Sequence, residues 1–189
     1  PNIEIICSNP GGKLIKEIWS QKKPSKAKLQ LEQEEREIPI PDLYVIKENS
    51  HKISFAEYEF ELLTTPTARW PGGLIVFEKN LGLLISGKFF AAHICTEKWA
   101  ESNPISTEED RRHYFDCLMA PMASQVNGII EKLEELDIRT IAPGHGPAIA
   151  GSWRSLLNDY QRWSEVNNQG LLKVLLIFAS AYGNTAAIA

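Results

Sequence analysis

Ile138-Arg139-Thr140-Ile141-Ala142-Pro143-Gly144-His145-Gly146-Pro147 reads as a short strand that runs into a turn. Two glycines and two prolines restrict that turn from both sides, because proline fixes its φ angle and glycine accepts angles closed to other residues. The histidine between them is therefore held rigidly at the carboxyl end of a strand. A metal ligand needs such rigidity, since its nitrogen must be placed within a few tenths of an ångström. A purely structural turn uses it equally, and spacing alone leaves both readings open.

Working outward from that turn, a helix is expected to start near Ser152, with Trp153, Leu156, Leu157, Tyr160 and Trp163 on one face and Arg154, Asp159, Gln161 and Arg162 pointing away. Asn167-Asn168-Gln169-Gly170 follows as a linker. Leu171 to Phe178 is apolar except for Lys173, which suits a strand of a parallel sheet buried on both faces. It leads into Ser180-Ala181-Tyr182-Gly183-Asn184-Thr185 and an Ala-rich helix start. Hydroxyls and free amides at a helix N-terminus favour an anion, so this loop is expected to hold a phosphate.

On the other side, Ser106-Thr107-Glu108-Glu109 has the spacing of a capping box and should open a long helix that Pro121 kinks or breaks. Its second part carries Met122, Val126, Ile129, Ile130, Leu133 and Leu136 on one stripe. Leu74 to Phe77 and Leu83 to Ser86 form a hairpin around Glu78-Lys79-Asn80-Leu81-Gly82. Ser54 to Leu63 alternates as a single strand, with Ala56, Tyr58, Phe60 and Leu62 against Glu57, Glu59 and Glu61. Asp42 to Lys47 is a further short strand. Ser8 to Lys13 lacks the spacing of a phosphate loop and reads as a turn opening a helix.

The 189 residues are 43% hydrophobic and 23% charged, with a net charge of −4, which excludes collagen-like and disordered classes. Cys7, Cys95 and Cys117 form neither a disulfide framework nor a metal knuckle, and a reducing compartment follows. No apolar run is long enough to span a bilayer. Lys13 to Lys28 is basic but is followed at once by the acid-rich Glu32 to Glu37, so it reads as a solvated surface and nucleic acid is not expected as a partner. Pro1 falls in a strand-like segment without a signal peptide, and Ala189 falls in a helix's first turn, so the chain is expected to be cut at both ends. His51, in a turn, and His113, in a charged helix, read as surface residues, whereas His93 follows the apolar Phe89 to Ala92 and could approach a site.

Taken together, Pro143 to Pro147, the helix with Arg111-Arg112-His113-Tyr114-Phe115 and Leu118-Met119-Ala120-Pro121, and the Ser180 to Thr185 loop closely resemble a flavodiiron protein of the cyanobacterial and chloroplast class. The resemblance implies an α/β chain: the later part of a metallo-β-lactamase-like αββα sandwich over residues 1–165, a linker over 166–170, and the first strand and turn of a flavodoxin-like domain over 171–189. It implies FMN, its phosphate gripped by Ser180, Ala181, Tyr182, Gly183, Asn184 and Thr185. It also implies electrons passing from NAD(P)H through FMN to a diiron centre that reduces oxygen to water or nitric oxide to nitrous oxide, as an outlet beside photosystem I. A homo- or hetero-oligomer with a related subunit follows, in the cytoplasm of a cyanobacterium or the chloroplast stroma.

The same resemblance places the family's first metal motif, H-x-E-x-D-H, before Pro1, and matches its last ligand to His145. Two positions depart from it. Arg69 stands where the family has a histidine before Trp-Pro, and Lys88 stands where it has a bridging aspartate after Ser-Gly. Arginine and lysine are normally cations and offer no lone pair. A degenerate site is therefore expected, with diiron absent or altered, the two cations paired with upstream carboxylates, and His145 left as a relic or weak single ligand. The alternatives are a metallo-β-lactamase-fold hydrolase that activates water on zinc, or a non-catalytic partner subunit of an active flavodiiron protein. The sequence assigns no catalytic residue.

Overall fold

The computed structural model describes residues 4–21, 41–101 and 107–168. Strands Glu4–Ser8 (β1) and Asp42–Ile46 (β2) pair in parallel as a two-stranded sheet. Helix Asn9–Gln21 (α1) follows β1 directly, and the Ser8 hydroxyl accepts the Gly11 N–H at 3.3 Å. Ser8 to Lys13 is thus the helix-opening turn that the sequence predicts.

The main sheet has six strands: Ser50–Phe55 (β3), Tyr58–Thr64 (β4), Leu74–Glu78 (β5), Leu83–Gly87 (β6), Thr140–Pro143 (β7) and Ile149–Ala150 (β8). They lie in that spatial order. All pairs are antiparallel except β6 and β7, which run parallel. Side chains alternate between the faces of a sheet, and the register sets Leu63 opposite Ile75 and lines up Phe77, Leu84, Ile141 and Ile149 across β5 to β8. All six residues are buried in one core.

That core is closed by helices Glu108–Leu118 (α2), Ala123–Glu134 (α3) and Trp153–Asn168 (α4). Tyr114 and Phe115 come from α2, Val126, Ile129, Ile130 and Leu133 from α3, and Trp153, Leu156, Leu157, Tyr160 and Trp163 from α4. The α3 and α4 stripes are the ones the helical spacing predicts, and burying a side chain of this size contributes about 1.5–3 kcal/mol. Pro121 breaks the long helix as expected. A single 3₁₀ turn, Ala120–Met122, separates α2 from α3.

Four expectations are changed or left outside. Ser54 to Leu63 is not one strand, because the chain reverses at Ala56-Glu57 between β3 and β4, with Ala56 at φ 52°. His51 lies in β3 rather than in a turn, its Nε2 3.1 Å from the Tyr44 hydroxyl. The hydroxyl of the expected capping box belongs to Ser106, which lies outside the described residues; Thr107, next to it, donates its hydroxyl to Glu101 Oε1 at 2.7 Å. The linker beyond Asn168, the strand from Leu171 and the Ser180 to Thr185 loop lie outside the described residues.

Candidate functional site

The parallel pairing of β6 and β7 carries two turns to the same end of the sheet. On β7 the chain leaves Pro143 through Gly144, whose N–H donates to the Gly87 carbonyl at 2.7 Å. A Cβ at Gly144 would stand 2.8 Å from that carbonyl oxygen, so the approach needs glycine. Gly146 holds φ 80°, and the His145 carbonyl accepts the Ala92 N–H at 3.2 Å. On β6 the strand ends at Gly87 with φ 59°, which turns Lys88 toward the histidine.

The result is a direct contact between Lys88 Nζ and His145 Nε2 at 3.1 Å. An ammonium has three donors and no acceptor, so Nε2 must be the acceptor and the imidazole proton is assigned to Nδ1. The Nε2 lone pair is therefore occupied by a side-chain cation. His93 stands edge-on to His145, with ring centroids 5.3 Å apart, and edge-on to Tyr114 at 4.9 Å. The Tyr114 hydroxyl donates to the Lys88 carbonyl at 2.9 Å. Burial pushes that hydroxyl above its ordinary range, and the positive charge of Arg69 acts in the opposite direction.

Arg69 is exposed at the margin of this cluster, its guanidinium 5.5 Å from the centroid of the Trp70 ring, and its main-chain N–H donates to Met122 Sδ at 3.3 Å. The two predicted cations thus take different roles. Lys88 meets the matched histidine itself and Arg69 lies over an indole. Among the described residues no three His, Cys, Asp or Glu side chains come together in a group that could hold a metal ion.

Behind the cluster lies a residue that the sequence does not single out for a role. Arg111 on α2 is 2% exposed. Its guanidinium donates to the Glu101 carboxylate (Nε to Oε1 2.7 Å), to the Phe90 carbonyl, and to the Pro147 carbonyl at 3.2 Å. Phe90 itself holds φ 62°, and its N–H donates to the Tyr160 hydroxyl at 3.1 Å. Arg111 lies in a charged run typical of a solvated helix face, and its acid partner sits ten residues upstream in an irregular segment. No local spacing signals that pair. His93, by contrast, reaches the site as its apolar approach suggests.

A mixed sheet with three helices on one face, a rigid Pro-Gly-His-Gly-Pro turn at the sheet end and a histidine pair beside it define a metallo-β-lactamase-like core of the flavodiiron kind. The structure is similar to a metal-soaked flavodiiron core from Synechocystis sp., at TM-score 0.77 and 33% identity over 98% of this chain and 42% of that one. It is also similar to a crystallised fragment of diflavin flavoprotein A 5 from Nostoc sp., at TM-score 0.73 and 27% identity over 89% of this chain and 59% of that one. In sequence, diflavin flavoprotein A 3 of Synechocystis sp. is 36% identical across 100% of this chain. The chain belongs to this diflavin flavoprotein A family of flavodiiron proteins. It spans 29% of the length of that relative. No protein-family model matches the sequence. Among the described residues no helix is long and apolar enough to cross a membrane.

Proposed function

We propose that this chain belongs to a flavodiiron-type oxidoreductase of the cyanobacterial class whose metal pocket has been taken over by side-chain charge. The observation that carries this reading is the 3.1 Å contact between Lys88 Nζ and His145 Nε2. A ligand histidine coordinates through a ring-nitrogen lone pair, and here an ammonium occupies the Nε2 lone pair. The same cation repels a second one, by about 1 kcal/mol per unit charge at 4 Å where, as here, both side chains are open to water.

The rest of the reading comes from residue chemistry and family resemblance. Residues 1–165 are assigned to the metallo-β-lactamase-like domain, 166–170 to the linker and 171–189 to the start of a flavodoxin-like domain. Within the last, Ser180 to Thr185 offers hydroxyls and amides for the FMN phosphate. The parent protein then takes electrons from NAD(P)H into FMN and works beside a related flavodiiron subunit that carries the metal and reduces oxygen. Lys88 favours this partner role over independent oxygen reduction, and it equally disfavours a zinc hydrolase, which needs an open position on a bound metal.

Metal and flavin analysis of the full-length parent tests this reading. The expected result is FMN near one per chain with iron near zero, and oxygen consumption only when a related metal-bearing subunit is added. About two irons per chain, or oxygen reduction by the parent alone, would overturn it.

A further inference from the structure

Two backbone segments carry the side chains that meet in the site: the one after β6 carries Lys88 and the turn after β7 carries His145. The Ser86 hydroxyl at the end of β6 donates to the Phe89 carbonyl at 2.7 Å, and the Gly144–Gly87 and Ala92–His145 main-chain bonds join the two segments directly; α2 adds a tie from outside. The carbonyl of Phe90, two residues past Lys88, and the carbonyl of Pro147, two residues past His145, both accept from the Arg111 guanidinium. One turn further along α2, the Tyr114 hydroxyl donates to the Lys88 carbonyl at 2.9 Å. A single buried fork therefore ties both segments to one helix.

The fork is neutralised on its remaining side. The Glu101 side chain is 2% exposed, accepts from Arg111 Nε and Nη2, and takes the Thr107 hydroxyl as well. An ion pair this deep repays its desolvation only when geometry is good and further hydrogen bonds satisfy the remaining groups. Here two carbonyls and a hydroxyl supply them. A lysine could keep the charge against Glu101 but not the planar fork that reaches three acceptors at once.

We infer that Arg111, assisted by Tyr114, is a positioning residue: it holds the segments bearing positions 88 and 145 in register through their main-chain carbonyls, and so sets the Lys88–His145 contact without touching either side chain. The inference rests on the proposed pairing of Lys88 with His145. Because the clamp grips only backbone, the residue types at 88 and 145 can change while the scaffold that brings them together stays the same.

Nitrogen NMR of the His145 imidazole in the full chain tests it, because ring ¹⁵N shifts report which nitrogen carries the proton. In the unsubstituted protein at neutral pH, His145 is expected as a single Nδ1–H tautomer with Nε2 as acceptor. Lys88→Met serves as the reference, and should return the ring to the tautomer mixture of a free imidazole. Arg111→Lys should produce the same loss with the protein still folded by circular dichroism, and Tyr114→Phe, which removes one hydroxyl, should produce a smaller shift in the same direction.

A merely structural Arg111 would lower the unfolding midpoint and leave the His145 signature of the folded state untouched. That outcome sinks the inference. If Arg111→Lys does not fold, an unchanged His145 signature in Tyr114→Phe sinks it instead. If Lys88→Met itself changes nothing at His145, the pairing is wrong, and the proposed function loses its main support before the clamp is considered.

Discussion

Gly146 holds φ 80°, and a Cβ added there would stand 2.8 Å from the Ala92 carbonyl oxygen. Gly146→Ala is therefore expected to destabilise by about 1–3 kcal/mol through backbone strain alone, and the collision with Ala92 adds to it. Gly128, within α3, has nothing within 4 Å of such a Cβ. Gly128→Ala should stabilise by about 0.5–1 kcal/mol, because glycine is the poorer helix former. Urea unfolding of the two variants separates them by sign. Tyr160 adds a pH dependence. Its hydroxyl is fully buried and burial pushes it well above the ordinary tyrosine value of 10.0, so the folded state keeps a proton that the unfolded state gives up. Stability is then full below that ordinary value and falls as pH rises past it. Tyr160→Phe should flatten this alkaline fall while lowering stability at neutral pH by about 1–3 kcal/mol, since the Phe90 amide loses its acceptor. An alkaline limb of unchanged slope in the variant would count against this assignment. At this scale the turn and His145 are legible in the sequence, because their chemistry is local. Arg111 and Glu101 are not, because only the fold buries them together.

Among the elements, the β5–β6 hairpin shows how a buried acid can replace turn chemistry. Glu78 is 2% exposed, and its carboxylate accepts the Leu81 N–H at 2.6 Å and the Glu59 N–H at 3.3 Å. It ties the hairpin to the neighbouring strand as well as closing it. Glu78→Leu leaves two amides without that acceptor and is expected to cost about 2–6 kcal/mol, at roughly 1–3 kcal/mol for each unsatisfied group. Glu78→Gln keeps one acceptor oxygen, for one of the two amides, and should cost about half as much. Thermal unfolding of the pair checks the ratio. The neighbouring β3–β4 hairpin escapes sequence reading for a physical reason. Its two-residue turn, Ala56-Glu57, flips the parity of the alternation, so that Ile53 and Phe55 on β3 share a face with Tyr58, Phe60 and Leu62 on β4, and Ala56 hides the switch by extending the even-numbered apolar series back over the reversal. Neither residue carries the usual signal of positive φ, although Ala56 adopts 52°. The helical stripes and the Pro121 break are legible because burial on one face writes a 3.6-residue period directly into the sequence.

For the whole molecule, the sheet register separates two faces that differ by one residue per strand. One face, through Phe77, Leu84 and Ile141, meets the helices and is buried. The other runs through Leu62, Val76, Ile85 and Ala142, a continuous apolar row across β4 to β7. Ile85 within it is 45% exposed, while its neighbour Leu84 is fully buried. The αββα expectation needs a second sheet against such a row, and the chain spans 59% of the Nostoc fragment it resembles. The described residues thus supply one sheet with its helix layer, beside the small β1–β2 sheet. This part of the architecture is invisible in the sequence, because an apolar residue facing solvent and one facing a core read alike. Adjacent substitutions should tell the faces apart in the isolated chain. Leu84→Thr opens a hole in the core and is expected to cost about 2–5 kcal/mol, whereas Ile85→Thr, at a half-open position, should stay within about 1 kcal/mol. Ile85→Thr should also lower the fluorescence of a hydrophobic dye bound to the folded chain, which reports exposed apolar surface. Equal destabilisation by the two variants, with no change in dye binding, would show that the row is already covered within these residues and that the two faces of the sheet are energetically alike.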